Sequence, residues 1–216
     1  SAAARSGQTA VVCVNGNEAR DWREETELLR ALERRGHAVL VVDPRGAAQA
    51  RPAIFATAPH YNDPLSGVEE NLAYNAFLLG KSLLGMRVTD VLVAIKMLAS
   101  NGKPRRIVLC GRRDAGLVAG LAAAVEPAID QVACEELLLS YRPLFAERGF
   151  PINAASILPG LLQHLGDVAD VLAQVAPRKV LAAAGIGELP RRLPNVQAIS
   201  RPFSTDPQFL ADWIGG

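Results

Sequence analysis

The segment Arg105-Arg106-Ile107-Val108-Leu109-Cys110-Gly111-Arg112-Arg113-Asp114-Ala115-Gly116 constrains this chain more than any other. A basic start and a short apolar run lead to a glycine and a turn. A run of small residues follows, Ala115-Gly116-Leu117-Val118-Ala119-Gly120-Leu121-Ala122-Ala123-Ala124-Val125. The first part reads as a buried strand and the second as a helix. Small side chains suit the junction, because a strand end and a helix start approach too closely there for larger ones. The pattern predicts a strand, a sharp turn carrying Arg112, Arg113 and Asp114, and a helix packed hard against the strand.

A chain of 216 residues suits one α/β domain with a sizeable core. Half of the residues are hydrophobic and only 5% are aromatic, which fits a mostly parallel sheet covered by helices on both faces. Basic and acidic residues number 23 and 22, so no strong field draws the chain to nucleic acid or an anionic membrane. The pairs Arg34-Arg35, Arg112-Arg113 and Arg191-Arg192 are scattered and read first as solvated surface. Cys13, Cys110 and Cys134 lie in apolar runs, which predicts buried free thiols. No metal-ligand spacing, dinucleotide fingerprint or phosphate-cradling loop occurs, so no cofactor is expected. No apolar run reaches membrane-spanning length. Residues 1–8 read as a linker or edge, without the pattern of a signal peptide, and residues 9–216 as the domain.

Thr9 to Val14 is a continuous apolar run closed by Asn15-Gly16-Asn17, a buried strand ending in turn residues. Glu24 to Arg35 carries Leu28, Leu29 and Leu32 at helical spacing, and Gly36 stops it. His37 to Val42 reads as a second buried strand, completing a βαβ unit. Residues 47–71 show no clear period and read as a long loop over the carboxyl ends of the strands, where open α/β sheets place their sites. Arg87 to Ala99 is an amphipathic helix ended by Asn101-Gly102. Further strands are expected at Ile129–Cys134, Lys179–Ala184 and Val196–Ser200. Residues 140–153 look irregular, helices broken by Gly166 fill 158–175, and Asp206 to Ile214 closes the chain as a helix capped at Thr205 or Asp206.

This order of elements resembles the α/β-hydrolase superfamily with its first strands missing. More narrowly it resembles the acetyl-xylan-esterase-like carbohydrate esterases related to dienelactone hydrolase. Four stretches carry the resemblance: Arg35 to Gly46, Asn75 to Leu92, the strand, turn and helix at 105–125, and Leu158-Pro159-Gly160-Leu161-Leu162 with Gly166-Asp167 leading to Ala176-Pro177-Arg178-Lys179-Val180-Leu181. The resemblance implies a three-layer sandwich with ester hydrolysis at the turn, acetylated carbohydrate or a small ester as ligand, and an extracytoplasmic setting. Free thiols fit the cytoplasm equally well. It also implies that missing leading strands are supplied by another domain of the same protein or by a second copy, with the strand near Val11 otherwise left as a sticky edge.

A serine esterase needs a nucleophile on the strained turn, a histidine to take its proton and an acid to orient that histidine, in the chain order nucleophile, acid, histidine. Matching Gly111 and Ala115 to the small residues of the family's elbow puts Arg113 at the nucleophile, and a guanidinium cannot attack a carbonyl. A register shifted by one makes Asp114 the nucleophile and sets Arg112 where a small residue belongs; otherwise Asp114 is an acidic residue favourable to the helix dipole. The expected histidine position, Ser200 to Asp206, holds none, and no histidine follows His164. His37 and His164 read as structural, and His60 in the long loop is the one that reaches toward the site. Glu188 is the positional match for the acid, with Glu135 and Glu136 as substitutes and solvated loop residues by default.

Asn15-Gly16-Asn17 stands where the family carries an oxyanion loop. With Arg112 or Arg113 and the helix start at Asp114-Ala115 it suggests an anion site that binds a carboxylate or phosphate without turning it over. Two functions are therefore expected to compete. One is a catalytically silent binding or scaffolding module. The other is an active ester hydrolase with a rearranged site built on Asp114, or on a water activated by Glu188 or Glu135, with His60 in support.

Overall fold

The computed structural model describes residues 7–16, 21–51, 67–146 and 156–216. Six parallel strands form one sheet in the order β2-β1-β3-β4-β5-β6. They are β1 (Thr9–Val14), β2 (Ala38–Val42), β3 (Arg106–Arg112), β4 (Gln131–Glu135), β5 (Lys179–Ala183) and β6 (Val196–Ile199). β1 pairs with β3 from Thr9↔Arg106 to Val14↔Gly111, which brings the carboxyl ends of both strands level.

Alternation along the strands splits the core in two. Val12, Val14, Ile107, Leu109, Val132, Cys134, Val180 and Ala182 face one helical layer; Val11, Cys13, Val108, Cys110, Ala133, Leu181 and Ala183 face the other. The first layer holds α3 (Leu83–Gly102), α4 (Arg113–Val125) and α7 (Val168–Gln174), and α2 (Gly67–Leu78) packs outside it on α3. The second layer is α1 (Thr26–Arg34) against α8 (Pro207–Gly215). Short helices α5 (Pro143–Ala146) and α6 (Leu161–His164) lie in the connections.

Local signals account for the helix ends. Gly36 adopts φ 79° after α1, and Gly166 adopts φ 87° between α6 and α7. Ser82 caps α3 by accepting from Gly85 N, a full turn before the predicted start at Arg87. Asp206 caps α8 by accepting from Phe209 N at 3.2 Å. The three thiols are free and buried, as the composition implied.

Three expectations are corrected. β1 is an interior strand between β2 and β3, so among the described residues the edges of the sheet are β2 and β6 and not the strand near Val11. β2 is accordingly half-buried along all five residues, where a fully buried strand was expected. The chain passes from β2 back across β1 to reach β3, and an apolar run carries no mark of which side that crossing takes. In addition, residues 67–71, read as the end of a loop, form the first turn of α2.

Candidate functional site

The turn between β3 and α4 is closely packed. A Cβ on Gly111 would overlap the carbonyl group of Ala115 and the amide nitrogen of Gly116, so glycine is required where the strand meets the helix. Arg113 at the turn has φ 53°, a left-handed backbone that a non-glycine residue holds only under constraint. Its guanidinium is half-exposed, and Nε lies 3.1 Å from Oε2 of Glu136, which follows β4 and also has a left-handed backbone, φ 51°.

Arg112 points the other way, and it is not solvated surface. Its guanidinium is buried, lies 4.1 Å over the Trp22 ring, and meets Glu25 at 3.0 Å and Glu135 at 3.2 Å. Trp22 donates from Nε1 to Val14 O at 2.8 Å and stacks on Phe203. Glu135, expected as a solvated loop residue, is buried at the end of β4. It accepts from Ser204 N at 2.8 Å and Ser204 Oγ at 2.7 Å. Ser204 lies in the segment after β6 where a catalytic histidine was sought. Charge-assisted hydrogen bonds of this kind fix a loop firmly.

Asp114 begins the helix beside the turn and is also buried. Its Oδ2 lies 3.2 Å from Arg87 Nη1, and that nitrogen lies 2.6 Å from Glu69 Oε1. Arg87 Nε donates to Arg45 O at 3.2 Å. On the other side the Asp114 carboxylate abuts Gly16, where a Cβ would overlap Oδ1. The chain's own anion thus stands against the loop read as an oxyanion loop. Ala115 is buried in the first turn of α4. Asn15 knits the mouth of the site: Nδ2 donates to Asp43 Oδ1 at 2.7 Å and Asp21 Oδ1 at 3.0 Å, while Oδ1 accepts from Trp22 N at 3.0 Å. Burial pushes the Asp21 carboxyl up, but hydrogen bonds from Arg23 N and Asn15 outweigh it and hold the group below its ordinary value.

The structure therefore brings Asn15, Gly16, Arg112, Arg113, Asp114 and Ala115 to one end of the sheet with Glu135 and Glu136. Glu188 is exposed in the loop after β5 and takes no part in these ion pairs and hydrogen bonds. His164 is exposed at the end of α6. His37 lies half-buried ahead of β2, where burial lowers its pKa. His60 and Asn17 lie outside the described residues. Among the described residues no group of three or more His, Cys, Asp or Glu side chains is placed to hold a metal ion.

Sequence reasoning missed Glu25, Glu69, Arg87, Trp22 and Ser204. One signal was available: Arg87 interrupts the apolar face formed by Leu84, Val88, Val91 and Ile95 of α3. A buried arginine on such a face requires carboxylate partners.

The parallel sheet with helices on both faces, and the strained turn from β3 into α4, define an α/β-hydrolase fold. Solved structures of that fold superpose on nearly the whole chain. One is a protein from Bacteroides fragilis described as a candidate acetyl xylan esterase, at TM-score 0.67 and 16% identity over 94% of this chain and 61% of its own. Another is the methylesterase BT1017, at TM-score 0.61 and 18% identity over 98% of this chain and 49% of its own. Est1E from Butyrivibrio proteoclasticus aligns at TM-score 0.59 and 14% identity, over 98% of this chain and 90% of its own. The chain thus spans about three fifths and one half of the first two structures' length. No family model and no curated protein matches the sequence.

Proposed function

We propose that this chain is a catalytically silent α/β-hydrolase-fold domain, similar to acetyl xylan esterases, that serves as a binding or scaffolding module beside another domain of the same protein. The observation that carries the reading is Arg113: the residue in the left-handed position of the elbow is a guanidinium held by Glu136. An arginine stays protonated in a protein and cannot act as a nucleophile. The surroundings agree. The segment after β6 offers Ser204 to Glu135 in place of a histidine.

An active site rebuilt on Asp114 is the less favoured reading. Among the described residues the carboxylate is buried against Gly16 and paired with Arg87, which disfavours attack on an ester carbonyl. The ligand class that fits the fold is an acetylated carbohydrate, a small ester or an anion, met at the half-exposed Arg113.

The test is turnover of p-nitrophenyl acetate and acetylated xylo-oligosaccharides, alongside calorimetric binding of the same oligosaccharides. No hydrolysis above buffer is expected. Hydrolysis that disappears in Asp114→Asn while the circular dichroism spectrum is unchanged would overturn the proposal.

A further inference from the structure

Beyond the carboxyl end of β4, an open cavity of about 420 Å³ is lined by Arg142, Phe145, Leu162, Gly166, Asp167 and Asp170. Its size falls in the roughly 300–1,000 Å³ range of small-molecule sites. α7 runs back to the amino end of β5, so its first turn stands at the same end of the parallel sheet as the elbow. The polar wall is rigid. Asp167 is buried and accepts from Ser140 Oγ at 2.5 Å and from the amides of Tyr141 and Val168 at 2.8 Å. Asp170 Oδ2 accepts from Asp167 N at 2.8 Å, which completes a capping box at the start of α7. Asp170 Oδ1 pairs with Arg191 at 2.6 Å, yet the Asp170 side chain stays 34% exposed. A carboxylate accepts about four hydrogen bonds, so this one has acceptor capacity left toward the cavity. Arg142 lies 3.6 Å from Asp167 with its side chain 78% exposed, which leaves guanidinium N–H groups open to a ligand. The apolar wall is Phe145 with Leu162. Leu144 packs on the core, whereas Phe145 is 81% exposed and offers the cavity an aromatic ring.

We propose that this cavity binds a neutral pyranose ring, free or within an oligosaccharide. The proposal rests on the reading of the chain as a binding module and gives that module a site that shares no residue with the elbow. A pyranose has a face of C–H groups and a rim of hydroxyls that both donate and accept. The Phe145 ring suits the C–H face, and Leu162 extends the apolar wall. Asp170 accepts from one hydroxyl of the rim and Arg142 donates to another. Charge selects the neutral ligand. Arg142 and Arg191 cancel Asp167 and Asp170, so no net field draws an anion or a cation into the cavity. A carboxylate or ammonium group entering here meets partners that are already paired. Because the capping box and the bonds from Ser140 and Tyr141 hold the polar wall in place, little order has to be imposed on binding.

Titration of the nitrogen-15-labelled chain with xylotetraose, cellotetraose and mannotetraose, followed through its amide resonances, tests it. Xylose and glucose run alongside, so that a free sugar is told from a unit within a chain. At least one of these neutral sugars should shift the Phe145, Leu162 and Asp170 amides saturably, with a Kd of about 1 mM or tighter. Phe145 is exposed, so replacing it leaves the core intact. Phe145→Ala should weaken binding about tenfold and Phe145→Leu nearly as much, whereas Phe145→Trp should retain it, because the ring face makes the contact. Trigalacturonate and a glucosamine trimer supply the anionic and cationic arms. The proposal is overturned by the absence of a saturable shift at these amides with every neutral sugar. Tighter binding of either charged oligomer there, or neutral-sugar binding that Phe145→Ala leaves unchanged, also overturns it. Hydrolysis of p-nitrophenyl acetate would overturn the silent reading of the elbow and leave this result as it stands.

Discussion

The carboxylate of Asp114 lies against Gly16 so closely that a β-carbon at Gly16 would overlap its Oδ1. Gly16 lies in the loop after β1 and Asp114 in the first turn of α4, beyond the carboxyl ends of strands aligned through Val14↔Gly111. The contact closes the crevice between the loop after β1 and the start of α4 with the protein's own anion. It ties the absence of a side chain at one position to the charge at another.

Gly16→Ala should therefore destabilise the fold by about 1–3 kcal/mol, the range for forcing an added group into a packed site. The urea midpoint of the purified variant measures this. Asp114→Ala in the same chain removes the colliding atoms, so the double variant should recover part of the loss, with a coupling of about 0.5–3 kcal/mol. Strict additivity of the two changes would refute the contact.

Arg113 holds φ 53° with an ordinary β-carbon, which costs about 1–2 kcal/mol relative to a residue free to adopt it. Its ion pair with Glu136 is half-exposed and returns at most about 1 kcal/mol. Arg113→Gly should thus leave stability unchanged or raise it by up to about 1 kcal/mol. Arg113→Val, branched at the strained position, should lower it. Thermal or urea unfolding of the two variants decides the matter; a glycine variant clearly less stable than the parent is the contrary outcome.

Stability should fall as the solution becomes alkaline. Burial pushes the Cys134 thiol up to about 12 from an ordinary 9.0. The hydrogen bond with Cys13, and then burial, raise Cys110 well above the same value. Burial also raises the Tyr141 hydroxyl to about 12 from 10.0. Above about pH 9 the unfolded chain loses these protons while the folded chain keeps them, so the folded state binds more protons and each further pH unit costs about 1.4 kcal/mol per group. The stability is fully present below pH 9 and is lost as pH climbs toward 12. Unfolding free energies from urea titrations at about pH 8 and pH 10.5 should differ by roughly 2–4 kcal/mol, and less in Cys134→Ala. A flat profile counts against buried neutral thiols.

Much of the fold can be read from local chemistry. The run from Arg106 to Val125 specifies strand, turn and small-residue helix, because Gly111 leaves room for one arrangement only. Leu28 and Leu32 mark the face of α1 that meets the sheet, and Asp206 marks the start of α8. The site is legible in part for the same reason. Arg113 is marked out by its place two positions after Gly111, and the segment after β6 by holding Ser204 and no histidine.

The rest depends on contacts between residues far apart in the chain. Arg87 is 27 positions from Asp114, and Glu135 is 69 positions from Ser204; no spacing rule links either pair. The turn at 105–116 fixes its own conformation because its constraint is steric and local. Whether Arg112 and Asp114 face solvent or carboxylate and guanidinium partners depends on which helices pack beside them. Five apolar residues make a strand in either place, and only the direction of the crossing after β2 decides that Ala38 to Val42 lies at the edge of the sheet and not within it. Sequence by itself determined the strand, turn and helix of the elbow and that Arg113 stands in it. Tertiary structure decided that Asp114 and Arg112 are buried and neutralised, because burial and pairing are properties of neighbours that the chain brings together only on folding.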